Sequence, residues 1–341
     1  MLLIFLFFAS GVIAGLLTWP IRRLAIRINA FDFPSLPRKK QVAPIPYLGG
    51  VSIAITVTLT IFTALVLTES SSGTFGLAIS VLAPATLMAI LGLVDDLKGL
   101  GVFPRLIFQT TAAFLLALGL VLTDTMGVPF NNPLVNITLS VLWIVGICNS
   151  INFFDNIDGG AAGTVAIAGL SIGFIAHLQG QEYISALAVV TAGSTAGFLL
   201  WNKSPAKIYM GDSGALFLGI MLAVLTIRLE PGLTPLWISL SIPPTILAVP
   251  ILDTCVSVLS RINRGKSPLD GGLDHLSHRL VRRGFQRKSA VFILWSLSGI
   301  FSALAISTYL WAHKIGMEVV AVAVVFWLIL FLWFWKIPSE D

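Results

Sequence analysis

The sequence predicts an all-α integral membrane protein, a bundle of about 11 transmembrane helices in one domain over residues 1–341. Hydrophobic residues make up 56% of the chain and charged residues only 11%, and the mean hydropathy is +0.93. A soluble domain carries about 25% charged residues, so this chain has too few to cover a water-exposed surface. The composition therefore excludes soluble globular, disordered and fibrous classes.

Eleven apolar stretches are each long enough to cross a membrane, which takes about 20 residues in a helix. Backbone groups in lipid must bond within their own segment, so each stretch is predicted to be a helix. The stretches are too long and too uniformly apolar for barrel strands. In order they cover 1–20, 46–68, 76–94, 106–123, 134–151, 161–178, 184–201, 213–229, 235–258, 290–312 and 318–336.

Basic residues predict the orientation of the bundle, because Lys and Arg collect in cytoplasmic loops. The first stretch is followed by Arg22, Arg23 and Arg27, so we expect an uncleaved span with the N-terminus outside and the C-terminus cytoplasmic. Of the 21 basic residues, all but Arg228 and Lys314 then lie on the inner side. Topology accounts for the net charge of +5, and no nucleic-acid partner is predicted.

Five predicted cytoplasmic loops carry the polar residues and are expected to form the active site at this face. They cover 21–45, 95–105, 152–160, 202–212 and 259–289. The second of them opens with the adjacent acids Asp95 and Asp96 and ends at Arg105. Neighbouring carboxylates repel each other, so a divalent cation or a proton is expected to balance them.

A polar stripe leads into the third loop. Asn149, Asn152, Asp155 and Asp158 recur every third residue, which on a helix places them along one face. A carboxylate near the middle of a span costs about 2.5–3.5 kcal/mol, so such a stripe indicates a water-filled cavity. The simpler alternative is a helix end capped by Asn and Asp.

The fourth loop combines Asn202, Lys207 and Tyr209 with Asp212 at the start of the next helix. The start of a helix offers backbone amides to an anion. A capping role alone would explain Asp212, but not the Lys and Tyr residues beside it.

The fifth loop is rich in histidine and arginine. His275 and His278 stand three residues apart, close to Arg261, Arg264 and Arg279. No Cys or Glu partners support a zinc site, so polyanion binding by His and Arg is favoured over it. A basic helix on the membrane surface is the simpler alternative.

Acids and cations at one membrane face together indicate a metal-bridged phosphate substrate. Mg²⁺ is held by a few carboxylates and by substrate phosphates, and it aligns phosphoryl chemistry. A lipid substrate reaches such a site from the side of the bundle. The residues therefore predict a Mg²⁺-dependent enzyme that joins a cytoplasmic phosphorylated compound to a lipid phosphate.

These motifs resemble the polyprenyl-phosphate N-acetylhexosamine-1-phosphate transferases, the family of WecA, TagO and MraY. The resemblance runs from Asp32 to about Gly284, and its most specific piece is NKSPAKIYMGDSGALFLG at 202–219. The chain departs from the family pattern at Gln41 and Ser277, where histidines are usual.

The resemblance implies transfer of N-acetylglucosamine 1-phosphate from UDP-GlcNAc to undecaprenyl or another polyprenyl phosphate, with release of UMP. It implies Mg²⁺, with Mn²⁺ as the alternative ion, held by Asp212 and Asp96. Asp95 is assigned as the base that deprotonates the lipid phosphate. The other implied catalytic residues are Asp96, Asp155, Asp158, His275 and His278. The implied substrate-binding residues are Lys39, Arg105, Asn149, Asn152, Asn202, Lys207, Tyr209, Arg261, Arg264 and Arg279, with Tyr209 stacked on uracil.

Two alternatives stay open. One is the same reaction with another UDP-N-acetylhexosamine or with UDP-MurNAc-pentapeptide as donor. The other is an ion-coupled transporter, although transporter sites usually lie near the membrane midplane and these acids lie at one boundary. The expected location is the bacterial cytoplasmic membrane, the expected partners are the UDP-sugar, the polyprenyl phosphate and membrane lipids, and a homodimer is left open.

Overall fold

The computed structural model describes residues 1–33, 44–269 and 271–339, which form thirteen helices and one small sheet. The helices are α1 (Leu2–Arg27), α2 (Gly49–Leu67), α3 (Ser72–Lys98), α4 (Val102–Leu122), α5 (Pro133–Phe154), α6 (Gly160–Leu178), α7 (Glu182–Asn202), α8 (Gly211–Arg228), α9 (Leu236–Ile246), α10 (Ala248–Asn263), α11 (Leu276–Arg282), α12 (Arg287–Leu310) and α13 (Ala312–Trp335). The antiparallel strands are β1 (Phe31–Asp32) and β2 (Ile45–Pro46).

Ten helices of the described chain are long and apolar enough to cross a membrane, or eleven if the bent pair α9 and α10 is one span. Each predicted stretch coincides with one of these helices or with the bent pair. Large apolar side chains such as Phe5, Leu115 and Ile329 point outward, as a surface in contact with lipid requires. The predicted polytopic helical membrane protein is confirmed at this level.

The ninth predicted span, 235–258, is not one straight helix. It breaks at Leu247, where α9 and α10 meet with a bend of 72°. Pro250 has no amide hydrogen to donate to the Ile246 carbonyl, and Pro243 and Pro244 remove two further donors within α9. The apolar pattern gave the length of the span, whereas these prolines explain the bend.

Two predicted loops begin later than the sequence suggested. Asp95 and Asp96 lie in the last turn of α3, which is capped by Gly99 with a left-handed φ of 65°. Asn149 and Asn152 lie within α5, but the helix ends at Phe154. The predicted helical stripe is therefore interrupted, and its two acidic residues follow in non-helical backbone.

Helix α8 is the most deeply buried of the described candidate spans. It packs closely against α3 and α5, while α2 and α6 contact it more lightly. Because Asp212 lies in its first turn, these two neighbours bring Asp96 and Asn152 to the same end of the bundle. This three-helix junction positions the site described next.

Candidate active site

A cavity of about 380 Å³ opens at the end of the bundle where α8 begins. Among the described residues, five carboxylates and only one side chain that is cationic at neutral pH line this cavity. The lining residues are Asp32, Tyr47, Asp96, Asn152, Asp155, Asn156, Ile157, Asp158, Asn202, Tyr209, Gly211, Asp212, His278 and Arg287. Such an excess of negative charge requires a counter-cation or bound protons.

Asp96 connects α3 to the start of α8. Its two carboxylate oxygens accept hydrogen bonds from the backbone amides of Asp212 (2.9 Å) and Ser213 (3.1 Å). These amides have no partner within the helix, and the positive end of the helix dipole favours a carboxylate there. Gly92, one turn earlier on α3, allows the approach, since a Cβ there would lie 2.4 Å from the Asp212 carbonyl.

Arg105 holds Asp212 from α4. Its Nη1 donates to Oδ2 of Asp212 and to Oδ2 of Asp95, both at 2.8 Å. Asn152 donates to Oδ1 of Asp212, also at 2.8 Å. The carboxylate of Asp212 is therefore held by α4 and α5 where it lines the cavity.

Asp95 does not reach the cavity. It is 8% exposed, and its second oxygen accepts the Leu100 amide at 2.6 Å. The structure thus gives Asp95 a contact that positions Arg105, and its assignment as the base stays a prediction. Asn149 also lies off the cavity, where it donates to Oε1 of Gln109 at 3.0 Å.

Asp155 and Asp158 lie at the cavity wall in the turn between α5 and α6. The carboxylate of Asp155 makes no hydrogen bond or ion pair with any described residue. Burial, together with the charges of Asp212, Asp96 and Asp158, raises the pKa of Asp155 to about 7. Asp158 by contrast accepts the Ala206 amide at 3.1 Å.

The end of α7 and the segment that leads to α8 contribute two of their three assigned residues to the cavity. Asn202, 2% exposed, accepts the Gly159 amide and donates to the Ile208 carbonyl, which ties this segment to α6. Tyr209 lines the cavity, and burial raises the pKa of its hydroxyl, so it stays neutral. Lys207 is exposed and points away, with its Nζ 5.7 Å from the centre of the Trp201 ring.

A buried ionic network organises the segment before α11. Arg261 donates to both oxygens of Asp274 (2.9 and 2.8 Å), and Arg264 adds a third bond at 2.9 Å. His275 accepts from Arg261 at Nε2, so its Nδ1 carries the hydrogen and donates to Asp253 at 2.7 Å. Both arginines therefore balance the charge of Asp274, and neither they nor His275 line the cavity.

Of the two histidines, only His278 lines the cavity. Burial, and then the neighbouring His275 and Arg282 side chains, lower the pKa of His278 to about 3. It is therefore a neutral ring at physiological pH, able to donate one hydrogen bond from one nitrogen and to accept one at the other.

Arg279 does not line the cavity, although the sequence assigned it to substrate binding. It is 1% exposed and donates to the carbonyls of Asp274, Phe334 and Ile337 and to the Ser260 hydroxyl. These contacts fasten α11 to α10 and to the end of α13. The sequence could not reveal this, because the acceptors are backbone atoms distant along the chain.

Replacing Asp274 with Asn tests the structural role of this network. We expect the free energy of unfolding to fall by about 3–5 kcal/mol, because Arg261 is 2% exposed and its buried charge would lose its partner. Unfolding of the detergent-solubilised protein measures it. Glu182→Gln is the control, since it breaks the exposed pair with His177 and should cost under about 1 kcal/mol. Equal losses in the two variants would contradict the assignment.

The residues that build this cavity also match known proteins. The pattern of glycosyl transferase family 4 matches residues 78–230, which include Asp96, Asp155 and Asp212. A probable undecaprenyl-phosphate N-acetylglucosaminyl 1-phosphate transferase of Bacillus subtilis is 34% identical over 307 residues, covering 88% of this chain and 83% of the relative. The chain belongs to glycosyl transferase family 4.

Two further relatives extend the comparison. A decaprenyl-phosphate N-acetylglucosaminephosphotransferase of Mycolicibacterium smegmatis is 32% identical, over 93% of this chain and 84% of the relative. A phospho-N-acetylmuramoyl-pentapeptide-transferase of Streptococcus agalactiae is 30% identical, over 57% of this chain and 62% of the relative. The predicted family is thus confirmed.

Sequence reasoning missed four polar cavity residues of this family 4 protein: Asp32, Tyr47, Asn156 and Arg287. Asp32 reaches the site because β1 pairs with β2, which leads directly to Tyr47. The Tyr47 hydroxyl donates to the Asp96 carbonyl at 2.8 Å. Arg287 begins α12, where an arginine is easily taken for an orientation signal. Lys39, assigned to substrate binding, lies outside the described residues.

The donor atoms of the cavity fit a divalent metal only in part. No group of three His, Cys, Asp or Glu residues is arranged as a ready metal site within the described residues. Mg²⁺, however, is commonly held by one or two carboxylates together with waters and substrate phosphates. Asp155, which lacks a hydrogen-bond partner among the described residues, and Asp212 beside it offer the hard oxygen ligands that Mg²⁺ prefers.

Proposed function

We propose that this protein transfers N-acetylglucosamine 1-phosphate from UDP-GlcNAc to a polyprenyl phosphate, forming polyprenyl-diphosphate-GlcNAc and UMP. The activities named for the two relatives that match most of the chain support the acceptor and the sugar. The observation that carries the proposal is the acidic cavity, in which Asp155 has no partner among the described residues and Asp212 is fixed by Arg105 and Asn152.

The proposed metal is Mg²⁺, which Asp212 and Asp96 would hold together with water and the substrate phosphates. When bound, it would neutralise the phosphates and polarise the bond to the leaving UMP. Without a cation, the five carboxylates would repel a diphosphate donor. The charge of the cavity therefore supports a donor that binds together with a cation.

The proposed reaction is a direct displacement. An oxygen of the lipid phosphate forms a bond to the phosphorus that carries the sugar, and the bond from that phosphorus to the bridging oxygen breaks, leaving its electron pair on UMP. A phosphate monoester has a second pKa of about 6, so at pH 7 the acceptor is largely deprotonated and needs no strong base. This suits a site in which Asp95 lies outside the cavity and positions Arg105.

The other cavity residues fit the donor. Arg287 supplies a positive charge for the diphosphate, and the neutral Tyr209 ring offers a stacking surface for uracil. Asn202 holds the backbone that carries Tyr209, through its bonds to Gly159 and Ile208. His278 adds a neutral hydrogen-bonding group.

We also propose that the cavity faces the cytoplasm of a bacterium, with the protein in the cytoplasmic membrane and its N-terminus outside. The cluster of basic residues at the same end of the bundle supports this orientation, since Lys and Arg collect in cytoplasmic loops.

Release of UMP by purified protein tests the proposal. We expect UMP from UDP-GlcNAc only when undecaprenyl phosphate and Mg²⁺ are both present, and none after EDTA until Mg²⁺ is restored. UDP-MurNAc-pentapeptide and UDP-N-acetylgalactosamine serve as competing donors. UMP formation that survives EDTA would refute the metal, and a stronger response to another donor would refute the sugar. No UMP from any donor, with folded protein, would refute the reaction.

A further inference from the structure

Arg228 is a buried cation far from the acidic cavity. It is the last residue of α8, about 24 Å from Asp212 by the rise of the helix, at the opposite membrane face. Arg228 is only 4% exposed. Its Nη2 donates to the Ser80 hydroxyl at 2.8 Å, but its Nε has no partner among the described residues. No carboxylate of the described chain forms an ion pair with it. A membrane-embedded arginine in this condition indicates a missing anionic partner.

Arg228 lies at the end of an apolar groove of about 400 Å³ between α3 and α4. The two helices contact each other sparsely, which leaves the groove open to the surrounding lipid. Its walls are mostly apolar, with Leu87 and Leu115 more than half exposed. Other lining residues are Ser80, Pro84, Phe108, Thr111, Ala112, Leu116, Gly119, Leu120 and Thr123.

The groove has the length and polarity of a lipid site. From Phe108 to Thr123 the groove follows α4 for about 22 Å. This is longer than the hydrocarbon layer of one leaflet, which is about 15 Å thick. An acyl chain therefore fits along it. Arg228 and the hydroxyls of Ser80 and Thr123 are gathered at one end, where a headgroup would lie.

We propose that this groove binds an anionic phospholipid, with its phosphate on Arg228 and one acyl chain between α3 and α4. A guanidinium binds a phosphate oxygen through charge-assisted hydrogen bonds, and the groove supplies apolar contact along the chain. Bound there, the lipid joins α3 to α4 at the face opposite the cavity. This inference does not depend on the proposed transferase reaction.

Native mass spectrometry of the protein released from nanodiscs tests it. In discs of phosphatidylcholine and phosphatidylglycerol, we expect the wild type to retain phosphatidylglycerol preferentially. Arg228→Gln should lower that preference about tenfold or more, because a charge-assisted bond is lost. Lys314→Gln, an exposed basic residue at the same face, should leave it unchanged.

A second variant fills the groove without touching the charge. At Gly119 no atom lies within 4 Å of the position that a Cβ would occupy, so Gly119→Phe should fold while it blocks the acyl chain. Gly146→Phe, equally open but on α5 outside the groove, is the control. Retained preference in Gly119→Phe or Arg228→Gln would overturn the proposal. So would the absence of any preference for phosphatidylglycerol over phosphatidylcholine in the wild type.

Discussion

Asp212→Asn is expected to lower kcat/KM by about 10²–10³-fold or more while the protein still folds. The substitution keeps the size of the side chain and the acceptor oxygen that Asn152 or Arg105 uses. It removes the negative charge that we propose binds the metal. UMP release at saturating Mg²⁺ measures the effect, and the melting temperature in detergent reports on the fold.

Asp124→Asn is the matched control. Asp124 lies after α4 at the opposite face, in a left-handed backbone conformation with φ of 51° that asparagine also adopts. We expect its activity to equal that of the wild type. Turnover of Asp212→Asn within tenfold of this control would contradict the role of Asp212.

Gly92→Ala is the second substitution with a large expected effect. A helical Gly→Ala change usually stabilises by about 0.5–1 kcal/mol. Here the new Cβ would lie 2.4 Å from the backbone carbonyl of Asp212, so α3 and α8 must separate. We expect a loss of about 1–3 kcal/mol in the free energy of unfolding. Activity should fall at least about tenfold, since Asp96 would lose its bonds to the start of α8.

Gly146→Ala is the control that separates the helix propensity of alanine from the effect of a close packing contact. It lies in α5 with open space around its Cβ position, so we expect unchanged or slightly higher stability and unchanged activity. Unfolding measurements on both variants provide the comparison. If Gly92→Ala retained full activity, the close contact of α3 with α8 would have no bearing on the site.

The sequence was informative where one local pattern decides the structure. Uniform apolar stretches predicted the spans, because a helix in lipid has no other way to satisfy its backbone. The acids Asp96, Asp155, Asp158 and Asp212 were assigned to the site from motifs, and all four line one cavity. Their roles as catalytic or metal-binding residues stay predictions.

Long-range pairing decided the rest. Arg261, Arg264 and Arg279 look alike in the sequence as phosphate ligands, yet two bind the buried Asp274 carboxylate and the third binds distant carbonyls. Conversely, Asp32 and Arg287 were assigned no role from the sequence, because they reach the cavity only through the packing of β1 and α12. Contacts between residues so far apart in the sequence cannot be predicted from the periodicity of the chain.

The number of phosphates in the lipid product decides the proposed reaction. Mass spectrometry of the lipid extracted after incubation with UDP-GlcNAc, undecaprenyl phosphate and Mg²⁺ provides it, with the nucleotide product analysed in parallel. The acidic cavity and the direct displacement predict a lipid diphosphate that carries one N-acetylglucosamine, together with UMP. A lipid monophosphate that carries the sugar, together with UDP, would mean that the sugar moves without its phosphate and would contradict the proposal.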